Sequence, residues 1–300
     1  GYREIMNNSL TAAAYYNGLT AYPEDNCVRI MNPLSSDLNV MRQTLLFGGL
    51  ESVARNINHK NPNMKLYEFG NVYHYDSGAD QTEKALAPYT EQPMLGIWLS
   101  GNNHEESWAE PVRAVNVYDL KATLENVLTG MGVDIDTLVL EQTEDDTVAP
   151  SLTYNTRGGK TVAVLGVVTD EMLKRADIDQ PVYYAQVFWR VACKLAAKKD
   201  IKYHDLPKTL PVRRDLALLV DISVTYADIR RVVENSERKL LKSVSLFDVY
   251  ESKKLEAGKK SYAISMIIQD DVKTLQDKQI DAIMKKIITN LENQLGAKLR

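Results

Sequence analysis

Between residue 216 and the last residue, hydrophobic periodicity switches between 2 and 3.6 in the order strand, helix, strand, strand, helix, strand, and this order limits the fold more than any other feature. Residues 216–221 alternate as a strand. Residues 226–241 carry Ile229, Val232, Val233 and Leu240 on one helical side, and 244–251 and 260–269 are strands around a turn containing Gly258. Thr274 or Asp277 can cap a long helix that ends at residue 295, with Ile280, Ile283, Met284, Ile287, Ile288 and Leu291 as its apolar stripe. Residues 297–300 follow Gly296 as a last strand. The βαββαβ order specifies a ferredoxin-like domain, with both helices on one face of a four-stranded antiparallel sheet and the other face open.

Successive side chains of a strand point to opposite faces, so each strand can be sorted into a covered and an open set. In the third strand Tyr262, Ile264, Met266 and Ile268 belong under the helices, which turns Ser261, Ala263 and Ser265 outward. In the second strand, Phe247 and Val249 are assigned to the covered side, leaving Asp248 and Tyr250 open. In the first, Leu216, Leu218 and Val220 leave Asp215 and Ala217 exposed, and Arg300 can reach the same region. A tyrosine, a carboxylate, a hydroxyl and an arginine over small neighbours suit unpaired bases: an aromatic face stacks on a base at about 1–3 kcal/mol, and polar groups read its edge. The competing account is an antiparallel sheet that simply shows a polar face to water. Arg213 and Arg214 are candidate phosphate contacts, or partners of acidic neighbours at the domain entry.

Three hundred residues are enough for two domains. The basic stretch 194–200 followed by Pro207 and Pro211 marks the division, giving a module over 1–198, a linker over 199–206 and a domain over 207–300. Charge follows the same division. Residues 194–300 hold 22 Lys+Arg against 15 Asp+Glu, whereas 1–193 hold 14 against 25, so the net charge of −4 hides a basic end on an acidic body. That distribution is expected if the basic end meets a polyanion, and it is also compatible with a solvated basic surface. Cys27 and Cys193 form no metal or disulfide pattern, no apolar run is long enough for a bilayer, and residues 1–10 lack a signal sequence. A cytoplasmic protein with no membrane partner is therefore expected. The start at Gly1, without Met, suggests a piece of a longer chain.

In the first module the clearest helix is 40–58, with Leu45, Leu46, Leu50, Val53 and Ile57 as its stripe. Helices over 119–129 and just after Thr169 follow. Strand candidates are 28–31, 64–75, 94–99, 162–168 and 182–191, with 64–75 and 94–99 forming an antiparallel hairpin through a long polar connection. The fold class is α+β: a mainly antiparallel sheet with helices, then the ferredoxin-like domain.

The segments Leu210-Pro-Val-Arg-Arg-Asp-Leu-Ala-Leu-Leu-Val220, Leu246-Phe-Asp-Val-Tyr250, Gly258-Lys-Lys-Ser-Tyr-Ala263, Thr274-Leu275 with Asp277, and Gly296-Ala-Lys-Leu-Arg300 together resemble the ferredoxin-fold anticodon-binding domain of bacterial phenylalanine-tRNA ligase β subunits. Upstream, Asn32-Pro-Leu-Ser-Ser36, Met41-Arg-Gln-Thr-Leu-Leu46, Leu66-Tyr-Glu-Phe-Gly70 with Val72-Tyr73, and Asp119-Leu-Lys121 resemble the class II synthetase-like core module of the same subunits. By that resemblance the anticodon contacts fall on Asp248, Tyr250, Ser261 and Arg300, the positions that alternation and reach already place at the open face. The resemblance also implies a C-terminal region whose N-terminal portions are missing, tRNA(Phe) and a catalytic α subunit as partners in an (αβ)₂ assembly, and ATP with Mg²⁺ used at the α subunit. No cofactor is expected on this chain.

Adenylation on a class II core needs an arginine on the first hairpin strand and a Gly-rich segment ending in another arginine. Neither is evident in Tyr67-Glu-Phe-Gly-Asn-Val-Tyr73 or Phe188-Trp-Arg-Val-Ala-Cys193, so the first module is expected to be noncatalytic. His59, His74, His104 and His204 are too scattered for a ligand set. Arg157-Gly-Gly-Lys160 suggests phosphate binding, but a hairpin turn is preferred because no P-loop pattern is present. Residues 141–146 read as a solvated loop, and Trp98, Trp108 and Trp189 as core or interface anchors. Two other functions stay open: a ferredoxin-like regulatory protein that senses a small molecule, and a working ATP-dependent ligase with divergent phosphate-binding residues.

Overall fold

The computed structural model describes residues 1–79, 86–197, 203, 205–252 and 255–300. Two compact units, Gly1–Ile201 and Lys202–Arg300, have separate cores. Of the expected linker 199–206, residues 199–202 and 204 lie outside the described residues, and His204 with them.

The first unit runs β1 (Arg3–Glu4), β2 (Leu10–Thr11), β3 (Val40–Met41), α1 (Leu46–Asn58), β4 (Met64–Tyr75), β5 (Tyr89–Ser100), α2 (Val117–Gly130), β6 (Val139–Thr143), β7 (Val148–Asn155), β8 (Thr161–Val168), α3 (Asp170–Arg175), β9 (Val182–Phe188) and α4 (Trp189–Ala196). Seven strands make one sheet in the order β1-β4-β5-β9-β8-β7-β6, antiparallel except for β1 beside β4. Both faces are covered. Along β5, Met94 and Trp98 enter the core shared with α1 and α3, while Leu95, Ile97 and Leu99 enter the core shared with α2 and α4.

Several elements differ from the sequence expectation. The helix expected from residue 40 begins at Leu46, because Val40 and Met41 pair with Thr11 and Leu10. Gln43 N–H donates to the buried Tyr16 hydroxyl at 2.9 Å, so this backbone is already committed to tertiary contacts. Of the expected strand 28–31, only a bridge from Arg29 to Val40 forms. The strand expected over 182–191 ends at Phe188, and α4 follows. Its Trp189, Ala192 and Leu195 face the core at helical spacing, a pattern that a short apolar run leaves ambiguous. The presumed loop 141–146 contains the end of an edge strand, β6, paired with β7.

α2, expected from residue 119, begins at Val117 in a capping box. The Asn116 side chain accepts from Asp119 N–H at 3.1 Å, and Asp119 accepts from Asn116 N–H at 2.9 Å. Asn116→Ala is expected to cost about 1 kcal/mol in urea unfolding of the chain. Hydrogen bonding from Arg113 at 2.6 Å holds the Asp119 carboxyl below its ordinary value of 3.8. That contribution is therefore complete above 3.8 and is lost as pH falls through the lower folded value. Asp119→Asn should flatten this acid limb; an unchanged limb would exclude the group.

The second unit runs β10 (Val212–Asp221), α5 (Tyr226–Ser236), β11 (Leu241–Tyr250), β12 (Lys259–Ile268), α6 (Asp277–Leu295) and β13 (Lys298–Leu299). The sheet order is β11-β12-β10-β13, all antiparallel. One face packs Leu218, Val220, Ile264, Met266 and Ile268 against Ile229, Val232 and Val233 of α5 and Ile283, Ile287 and Leu291 of α6. α5 starts in a capping box between Thr225 and Asp228. α6 has Gln276 at its N-cap, not Thr274 or Asp277, where Gln276 N–H donates to Gln279 Oε1 at 3.0 Å, and it ends at Gly296 with φ of 60°. Among the described residues no helix is long and apolar enough to cross a membrane.

Candidate nucleic-acid interface

The open face is set by register. Arg213, Asp215, Ala217 and Leu219 of β10 lie opposite Ile267, Ser265, Ala263 and Ser261 of β12, all displaced by one residue from the buried set. On β11, Val244 and Leu246 pair with the buried Met266 and Ile264 and pack in the core beneath the helices. Strict alternation from Leu246 would then send Asp248 and Tyr250 under the helices as well. A β-bulge between Leu246 and Asp248 prevents this: Phe247 is the extra residue, Asp248 pairs with Ala263, and Tyr250 pairs with Ser261. Asp248 and Tyr250 thus join the open face.

Phe247 was expected beneath the helices. It is instead 54% exposed, with the Arg213 guanidinium 5.7 Å from its ring centre on the open face. Val249, opposite Tyr262, keeps the helix-side register expected for it, but it is also exposed and lies outside the core.

Two rows of side chains cross this face. Asp248, Ala263 and Ala217 lead to Arg300, whose N–H donates to Ala217 at 3.0 Å, and Tyr250, Ser261 and Leu219 lead to Lys298. The two alanines leave a shallow floor. Across it the Arg300 guanidinium lies 5.0 Å from the centre of the Tyr250 ring, although their strands are the opposite edges of the sheet, about 14 Å apart at normal strand spacing. The Asp248 carboxylate is exposed and has no hydrogen bond or ion pair among the described residues. Ser261 is on the open face but buried between larger neighbours.

The structure therefore brings Asp248, Tyr250, Ser261 and Arg300 together. It separates Arg213 from Arg214. Arg213 is on the open face, its Nε 2.9 Å from Asp215, and Asp215 is held below the ordinary carboxylate range chiefly by that hydrogen bond. Arg214 shares the register of Met266 and donates to the Arg213 carbonyl at 3.1 Å. Sequence reasoning missed Phe247 on this face. The doublet Leu246-Phe247, interrupting the alternation of Val244-Ser245-Leu246, was the available signal of a bulge.

In the first unit the hairpin strand β4 carries no arginine of its own, but one reaches it from outside. Arg42 Nη1 lies 2.7 Å from Glu68 Oε1, and Arg42 Nε donates to the Asn71 carbonyl at 2.9 Å; side-chain exposures are 7% and 1% for the ion pair. Asn7 donates to the other Glu68 oxygen at 2.7 Å. A Cβ at Gly70 would stand 2.1 Å from Arg42 Nη2, so the guanidinium occupies space only a glycine leaves. This cation is fully committed within the protein. Among the described residues no cluster of His, Cys, Asp and Glu could hold a metal ion.

A four-stranded sheet with helices on one face and stacking, accepting and cationic groups on the other defines a ferredoxin-fold anticodon-binding domain, and residues 207–300 match the family model of that description. Residues 1–189 match the model described as the phenylalanyl tRNA synthetase beta chain CLM domain. Over all 300 residues the chain is 52% identical to the phenylalanine–tRNA ligase beta subunit of Bacteroides fragilis and 46% identical to that of Porphyromonas gingivalis, spanning 37% of each. It is 32% identical to the subunit of Clostridium acetobutylicum, spanning 36% of that protein. The chain belongs to the phenylalanyl-tRNA synthetase beta chain family.

Proposed function

We propose that this chain contributes anticodon recognition of tRNA(Phe) and subunit contact to a phenylalanine-tRNA ligase. Residues 1–198 form a noncatalytic module, 199–206 a linker and 207–300 the RNA-binding domain. Phenylalanine is joined to tRNA through an ATP-dependent adenylate at an α subunit, in a cytoplasmic (αβ)₂ assembly. The observation that carries this reading is the placement of Tyr250, capped on one side by Arg300, beside the unpaired Asp248 carboxylate. A base stacks on the exposed aromatic and guanidinium surface, and the carboxylate, which only accepts, selects a base edge that presents N–H donors. The first unit offers no free arginine on its hairpin strand to hold an α-phosphate, because the cation that reaches the strand is consumed by Glu68. Membership of the family disfavours a small-molecule sensor.

Titration of the chain with a tRNA(Phe) anticodon stem-loop, against one of altered anticodon, tests the reading. Binding should prefer the native anticodon, and Tyr250→Ala should cost about 1–3 kcal/mol. Equal binding of both stem-loops, untouched by Tyr250→Ala, would remove the site. ATP–pyrophosphate exchange tests the noncatalytic assignment. The chain alone should show none, and phenylalanine-dependent exchange would restore a working ligase.

A further inference from the structure

A second basic surface lies wholly within the acidic first unit. The β7–β8 hairpin closes through Gly159, whose φ is 77°, with Gly159 N–H donating to the Thr156 carbonyl at 2.9 Å. This turn sets Arg157 and Lys160 on either side of one tip. Next to it, Arg190 and Lys194 lie one helical turn apart on α4, about 6 Å along its axis. The four cations line one open groove of about 660 Å³, floored by Val191 and Leu195. Lys160 and Arg190 also line the adjoining hollow beside Phe188 and Pro93, so the basic surface is continuous.

Several cations of this unit are neutralised locally. Arg29, Arg42, Arg113 and Arg175 each sit in an ion pair within 3 Å of a carboxylate. Among the described residues, none of Arg157, Lys160, Arg190 and Lys194 has such a partner, and no carboxylate lines the groove. Residues 1–193 contain only 14 Lys+Arg against 25 Asp+Glu, so three of those 14 converge here without a counter-charge. Four like charges around a low-dielectric floor repel one another, and a polyanion that replaces their small counterions relieves this.

We infer that this groove binds the phosphodiester backbone of RNA, independently of sequence and independently of the anticodon site. An RNA ligand is favoured because the same chain carries a domain of the anticodon-binding family, and because the groove offers four cations and an apolar floor for a ribose with no carboxylate among its described lining residues. Arginine forks engage phosphate in two-point contacts, and the lysines act as point charges.

The test uses the full chain and a loop-free RNA duplex, followed by fluorescence anisotropy from 50 to 200 mM salt. The quadruple variant Arg157→Gln, Lys160→Gln, Arg190→Gln, Lys194→Gln changes exposed side chains and should leave the thermal melt in place. It should weaken duplex binding by about tenfold or more at the low-salt end and flatten the log–log salt slope by about 3.6, since each of the four phosphates that is no longer neutralised removes about 0.9 from it. Tyr250→Ala should leave duplex binding unchanged, so failure here and failure at the anticodon site are separable. Inorganic phosphate or pyrophosphate, at matched ionic strength and equal phosphorus, should compete no better than chloride. An unchanged slope in the quadruple variant overturns the proposal, and so does full competition by inorganic phosphate, which would mean a small-anion pocket.

Discussion

Glu68→Ala should destabilise the first unit by about 3–5 kcal/mol, because it strands the Arg42 guanidinium in the core. Arg42 and Glu68 are nearly inaccessible, and the carboxylate also accepts from Asn7, so truncation orphans two donors at once. The ion pair itself need not be worth that much: desolvating both groups offsets most of their attraction. The double substitution Arg42→Met with Glu68→Leu should accordingly recover most of the loss. All three tryptophans, Trp98, Trp108 and Trp189, belong to this unit, so tryptophan emission during urea unfolding reads it selectively. A shift below about 1 kcal/mol for Glu68→Ala would show that water reaches Arg42 and that the pair is not buried in solution.

Trp98→Ala should cost a comparable 3–5 kcal/mol through the cavity it opens. The indole is fully buried, 5.2 Å from the Tyr184 ring, and two glycines make room for it. A Cβ at Gly49 on α1 would stand 2.0 Å from the indole, and one at Gly96 on β5 2.4 Å. Gly49→Ala should therefore cost about 1–3 kcal/mol by overpacking, and combining it with Trp98→Leu should return part of that loss. Strict additivity of the two changes would mean that helix and indole do not interlock. Among the described residues the buried indole N–H has no acceptor. Trp98→Phe removes that unsatisfied donor and should cost less than the lost area alone implies.

The second unit was legible because each of its elements is long enough to show its period. The α6 stripe of Ile280, Ile283, Ile287 and Leu291 is buried as written, and β12 pairs with β10 in an unbroken register. β11 was legible only in outcome. Alternation alone puts Phe247 and Val249 on the covered side, whereas Val244 and Leu246 fill the core and a bulge at Phe247 restores the open side to Asp248 and Tyr250. Two opposite parities expose the same residues, and only the ladder shows which holds. In the first unit α4 reads as a continuing strand, since Val187-Phe188-Trp189-Arg190-Val191 satisfies either period. The Arg42–Glu68 pair joins residues 26 apart through a space left by Gly70, a coincidence no local pattern encodes.

By itself the sequence determined the βαββαβ order, the two-part organisation and the short set of polar residues able to meet a base. These follow from local period and composition, which each segment carries alone. Tertiary structure decided where alternation breaks, which cations are already neutralised and which are left free. Strand register and ion pairing depend on partners distant in the chain, so their energies exist only once those partners meet.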